Sequence, residues 1–125
     1  MSANLSGKTV LVVDDEADLL EIICTEFESA GAKVLSTTSG NLALKILETK
    51  TVDAIVSDMR MPNGSGMDLL RGIGKKNQPL PVFVFITGFS NIENEDIYKA
   101  GAQAIFTKPC DFVEVVEAVE EFLKK

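Results

Sequence analysis

The chain has 125 residues, 46% of them apolar and 25% charged, a mix that suits one folded domain and not a disordered chain. Its 12 Lys and Arg stand against 19 Asp and Glu, a net charge of −7 that a nucleic-acid backbone repels, so no nucleic-acid partner is expected. There is no His, which excludes imidazole acid–base catalysis and imidazole metal ligands. Cys24 and Cys110 fit no CxxC spacing and are expected as buried thiols. The opening MSANLSGK lacks the apolar core of a signal peptide, and the longest apolar stretch, Leu80 to Ile86, is far short of a membrane span. A soluble, reduced, cytoplasmic protein with no membrane partner is expected.

Apolar runs alternate with amphipathic segments. After a loose start over residues 1–6, Thr9 to Val13 reads as a short buried strand ending in Asp14-Asp15. Residues 16–30 place Leu19, Leu20, Ile23, Phe27 and Ala30 at helical spacing, and Gly31 stops that helix. Lys33 to Thr37 is a second strand, and Asn41 to Thr49 a second helix. Val52 to Ser57 is a third strand, closed by Asp58. A turn-rich loop, Met61 to Gly66, leads to a helix over Met67 to Lys75, with Ser65 and Asp68 as a capping pair. Val82 to Ile86 is the run richest in β-branched and aromatic residues and reads as a central strand. A short acidic helix over Asn91 to Ala100, a strand over Ala104 to Thr107 and a helix over Asp111 to Leu123 complete the chain. Five βα units with short connections predict a doubly wound parallel α/β sheet and a single domain over 1–125, with its core at 8–123.

In such a sheet, ligands bind at the carboxyl ends of the strands. Strand one ends in Asp14-Asp15, strand three in Asp58, strand four in Thr87-Gly88, and strand five in Lys108-Pro109. Only strand two, ending in Thr37-Thr38, lacks such groups, which fits an edge position. Two carboxylates about 5 Å apart repel by about 3 kcal/mol at an effective dielectric near 20. Lys108 can neutralise one charge and a divalent cation the rest. All-oxygen ligands without His point to Mg²⁺. A carboxylate beside Mg²⁺ and an ammonium can attack phosphorus, with the Thr87 hydroxyl and the room beside Gly88 available to a phosphoryl group.

Four stretches then resemble one family: Val12-Val-Asp-Asp15, Asp58-Met-Arg-Met-Pro62 with Gly66 beyond, Ile86-Thr-Gly88, and Thr107-Lys-Pro109. In this order and spacing, over residues 8–123, they resemble the receiver domain of two-component response regulators. The resemblance implies a flavodoxin-like (βα)5 fold with strand order 2-1-3-4-5, an arrangement of which a receiver is a standard example. It implies that Asp58 accepts a phosphoryl group from a phosphohistidine on a sensor kinase or phosphotransfer protein. Asp15, Asp58 and the Arg60 main-chain carbonyl would ligate Mg²⁺, Asp14 would act through water, Lys108 would pair with the phosphate, and Thr87 would report its presence. The Lys108-Pro109 bond would be cis.

One departure concerns output. The family usually has Tyr or Phe three residues before the lysine, and here Ile105 stands there with Phe106 next to it. Neighbours on a strand face opposite ways, so Phe106 does not substitute. The resemblance therefore leaves open a receiver-like docking scaffold that is never phosphorylated. An Asp-nucleophile phosphohydrolase of the haloacid dehalogenase type would need Asp where Arg60 stands. A flavin module would need a phosphate loop where Asp14-Asp15-Glu16 stands. With no output domain in the sequence, either a single-domain regulator acting on an output partner or a receiver from a longer chain is expected.

Overall fold

A computed structural model describes residues 3–75, 79–88 and 94–124. They form β1 (Thr9–Val13), α1 (Ala17–Ser29), β2 (Lys33–Thr37), α2 (Gly40–Thr49), β3 (Ala54–Asp58), α3 (Gly66–Gly74), β4 (Val82–Thr87), α4 (Asn94–Lys99), β5 (Ala104–Thr107) and α5 (Phe112–Leu123). All strand pairs are parallel, in the order β2-β1-β3-β4-β5, the flavodoxin-like topology expected from the alternation. β2 lies at an edge, as its uncharged end implied. The middle place belongs to β3, with β4 interior beside it.

The apolar runs form strands because both faces of the sheet are covered, so both sets of alternating side chains must be buried. Every position of β3 and β4 is buried. On one face, Val10, Val12, Val56, Val84 and Ile86 pack against Ile23 and Phe27 of α1 and Val115, Val116 and Val119 of α5. On the other, Leu11, Val13, Ile55, Phe83 and Phe85 meet Ala43 of α2, Leu69, Leu70 and Ile73 of α3, and Ile97 of α4. Each Val, Leu, Ile or Phe among them, fully buried, stabilises the fold by about 1.5–3 kcal/mol. The same alternation sends Ile105 to the α3–α4 face and Phe106 to the α1–α5 face.

Ser65 and Asp68 form the expected capping box at α3. Ser39 and Asp111 cap α2 and α5 one-sidedly, accepting from the Leu42 and Val113 N–H groups, which the helical periodicity did not announce.

The structure corrects four expectations. The third strand runs from Ala54 to Asp58, not from Val52, because Asp53 ties down the sheet end instead: its carboxylate accepts from Thr9 N–H at 2.8 Å and its carbonyl from Val82 N–H at 3.1 Å. The fourth includes Thr87. The expected loose start over 1–6 fails at Leu5, which is buried between α1 and α5 and donates its N–H to the Ala30 carbonyl at 2.7 Å. Cys24 and Cys110 are free thiols but only half-buried, packed on the rim of the α1–α5 core. Residues 91–93 of the expected fourth helix, and Phe89, lie outside the described residues. Among the described residues, no helix is long and apolar enough to cross a membrane.

Candidate functional site

The carboxyl ends of β1, β3, β4 and β5 deliver their polar residues to one rim. Asp14, just past β1, is buried, and so are Asp58 at the end of β3 and Thr87 at the end of β4; Asp15 is exposed. One carboxylate oxygen from each of Asp14, Asp15 and Asp58 lies within 4.8 Å of the others. Lys108, just past β5, reaches back across the rim. Its Nζ lies 3.3 Å from Asp14 Oδ2 and 3.4 Å from Asp58 Oδ2, so one ammonium bridges both buried carboxylates. Its backbone N–H donates to the Thr87 carbonyl at 2.7 Å, tying the two strand ends together. The Lys108-Pro109 bond is cis, as the resemblance implied.

The second oxygens of the two bridged carboxylates are held by backbone. Asp58 Oδ1 accepts from Met59 N–H at 2.7 Å, and Asp14 Oδ1 from Glu16 N–H at 2.8 Å. Asp14 therefore braces the turn into α1. The N-cap of that helix is Glu16, which makes no side-chain cap. Met59 and Met61 are packed into the core between β3 and α3, leaving Arg60 exposed between them. Beside Thr87 there is room: a Cβ built on Gly88 meets nothing within 4 Å. At Gly66 the opposite holds, since a Cβ would collide with the Asp58 carbonyl oxygen and come within 2.6 Å of Phe85. Glycine is needed there for α3 to start against the end of β3.

The three-carboxylate cluster fits a small divalent cation by its chemistry. It offers only hard oxygen donors from converging strand ends, and one lysine cannot neutralise three negative charges. Burial pushes the Asp58 carboxyl above its ordinary range, and the nearby Asp14 charge adds to that; Lys108 and the Met59 N–H oppose it. For Lys108, burial is the largest single influence and works downward. The charges of Asp58 and Asp14 and their hydrogen bonds outweigh it, so its ammonium is held above the usual lysine range.

These directions fix the pH dependence. A carboxyl raised on folding binds its proton more tightly in the native state than in the unfolded one. Its contribution is present below the ordinary Asp range and is lost as pH rises through the native value. Metal-free wild-type protein is thus expected to lose stability relative to Asp58→Asn as pH climbs from about 4 toward neutrality. Urea unfolding in EDTA at several pH values measures it, and parallel curves for the two proteins contradict it. The Lys108 contribution is present throughout this range and is lost only above the ordinary lysine value, as pH rises through the higher native one.

The sequence places Asp14, Asp15, Asp58, Thr87 and Lys108 at the carboxyl ends of the strands, and all five are there; Arg60, named only through the resemblance, is exposed in the loop two residues past the end of β3. Sequence reasoning missed the direct Lys108–Asp14 pair, assigning Lys108 to the phosphate and Asp14 to a water. It also missed Ser57, whose buried hydroxyl donates to the Asp58 carbonyl at 2.8 Å. Strand alternation turns Ser57 away from Asp58, so nothing in the motif points to it.

A doubly wound α/β domain with an acidic, lysine-bridged rim is a class shared by several activities. Comparison with known proteins resolves it. Residues 10–120 match the family model of the response regulator receiver domain. The chain is 33% identical over 118 residues to the response regulator SaeR of Staphylococcus aureus, covering 93% of this chain and 50% of that protein. It thus spans about half the length of the curated relatives it matches. Among solved structures, the receiver domain of Francisella response regulator 1452 superimposes with a TM-score of 0.87 at 29% identity, covering 94% of this chain and 98% of that one. The response regulator TrrA of Thermotoga maritima, in complex with Mg²⁺-BeF, gives 0.81 at 28%, covering 91% and 97%. The chain belongs to the response regulator receiver-domain family, a family of signalling domains.

Proposed function

We propose that this receiver takes a phosphoryl group from a phosphohistidine of a sensor kinase or phosphotransfer protein onto Asp58, and signals in the cytoplasm by altered binding of an output partner. The observation that carries the reading is the Lys108 ammonium lying between Asp14 and Asp58, with Asp15 beside them. In the transfer, an Asp58 carboxylate oxygen forms a bond to phosphorus as the phosphorus–nitrogen bond breaks, and the imidazole leaves with its electron pair. Asp15, Asp58 and the Arg60 carbonyl are the residues to hold Mg²⁺, with Asp14 behind them. The metal, when bound, neutralises charge gathering on the phosphoryl oxygens. Lys108 exchanges carboxylate oxygens for phosphoryl oxygens as the charge moves outward, and Thr87, at the end of β4, swings its hydroxyl toward the same group. The TrrA complex with Mg²⁺-BeF supports the reading by likeness. Acetyl phosphate with Mg²⁺ should add one phosphoryl group to the intact mass. A chain left unmodified by several such donors is the outcome for a docking scaffold, the alternative that Ile105 leaves open and that the intact set of three aspartates and Lys108 argues against.

Ile105 bears on the size of the switch. It has no ring or polar tip to exchange, and its χ1 is stiff. A ligand shifts an equilibrium only by its differential affinity for the two states. Phosphorylation is therefore expected to change β5 and α5 less than in receivers with an aromatic at that place, so that partner recognition leans on α4 or the α1 side. Backbone NMR shifts with and without beryllofluoride measure this. Large changes across β5 and α5, with Ile105 changing rotamer, contradict it.

A further inference from the structure

Asp58 sits at the head of a loop, residues 59–65, whose far end is pinned by an element with no place in the receiver motifs. The first turn of α2 points its backbone N–H groups at that loop. Gly40 N–H donates to the Gly64 carbonyl at 2.8 Å and Asn41 N–H to the Asn63 carbonyl at 3.1 Å. Leu42 N–H is satisfied by the Ser39 hydroxyl at 3.2 Å. The first donors of a helix have no partner within it, so here the loop supplies two of the acceptors. The two backbones are in direct contact. A Cβ at Gly40 would lie 2.7 Å from both the Gly64 and Ser65 carbonyl oxygens, and one at Gly64 would lie 2.6 Å from Asn41 N. Gly64 (φ 107°) and Asn63 (φ 62°) adopt left-handed conformations that turn their carbonyls toward α2. The near end of the loop is closed separately, by Gly66 N–H donating to the Met59 carbonyl at 2.9 Å.

We infer that Gly40 is a positioning residue for phosphotransfer: its close contact with Gly64 anchors the loop that sets Asp58 and the Arg60 carbonyl at the rim. The inference rests on the proposed phosphotransfer at Asp58. Backbone carbonyls cannot swing aside as a side-chain tip can. A methyl group at position 40 must push residues 63–65 away from α2, and the strain runs through Arg60 to Asp58. Small displacements of reacting groups carry large rate penalties.

The test compares the wild-type chain, Gly40→Ala and Leu42→Ala, the last altering an exposed side chain on the same helical turn. Two readouts are taken: amide chemical shifts of residues 58–66 without metal, and the initial rate of acetyl phosphate modification at saturating Mg²⁺. Gly40→Ala is expected to shift the loop amides and to lower the rate about tenfold. Leu42→Ala is expected to leave both near wild type. Should Gly40→Ala not fold, Asn63→Ala strains the same contact from the loop side and is expected to give the same two effects. Loop amides that stay in place, or a rate within twofold of wild type despite their shift, overturn the inference. If the wild type accepts no phosphoryl group, the phosphotransfer reading and the role of Gly40 in it fall together, whereas a modified wild type with an indifferent Gly40→Ala removes the anchor alone.

Discussion

Mg²⁺ is expected to raise the thermal unfolding midpoint of the wild-type protein, and Asp15→Asn to abolish most of that rise. The metal relieves repulsion among three carboxylates that converge only in the folded state, so it binds native protein better than unfolded chain. The gain follows RT ln(1 + [L]/Kd), about 1.4 kcal/mol at ten times Kd. Asp15 is the right residue to change. It is exposed, and the Lys108 bridge engages Asp14 and Asp58 instead, so the substitution removes a ligand and a repelling charge without disturbing that bridge. Metal-free Asp15→Asn is accordingly expected to match or exceed wild type in stability. Coincident wild-type melts in Mg²⁺ and in EDTA count against the metal site.

Lys108→Met is expected to have the larger effect on the metal-free fold. It keeps most of the side-chain volume but leaves Asp14 and Asp58 buried without the ammonium that bridges them. Removing one partner of a fully buried ion pair costs about 3–5 kcal/mol. Lys108 retains 19% exposure, and solvent screening brings the expected loss to about 2–3 kcal/mol. The same variant should gain more from Mg²⁺ than wild type does, because the cation then meets three carboxylates that no lysine has already engaged. Urea unfolding with and without Mg²⁺ gives both numbers. A metal-free Lys108→Met as stable as wild type shows that the bridge contributes nothing.

The residues that were legible in the sequence are those whose role follows from local pattern. Val10 to Val13, Ile55 to Val56 and Val82 to Ile86 are continuous apolar runs because both faces of their strands are covered, and Asp14, Asp58 and Thr87, at or just past the carboxyl ends of those strands, then lie at the ligand-binding rim. Leu5 was not legible, since a single apolar residue outside any periodic segment reveals its burial only when α1 and α5 close over it. The Lys108–Asp14 pair was hidden for a similar reason. Ninety-four positions separate the two residues, and they meet because the long lysine side chain spans the ends of β4 and β3 toward β1. The contact of Gly40 with Gly64 is of this kind too. Each glycine reads locally as turn chemistry, and only the packing of α2 beside the loop shows that they exclude side chains for each other's sake.

Chemical trapping reads directly which atom carries the phosphoryl group. Acyl phosphates are reduced by borohydride, whereas phosphate esters and free carboxylates are not. Wild-type protein treated with acetyl phosphate and Mg²⁺, then reduced and digested, is expected to carry homoserine at position 58 and at no other Asp, with the signal lost in EDTA. Reduction at a different carboxylate, or none in a chain whose fold is shown to be intact, would contradict it.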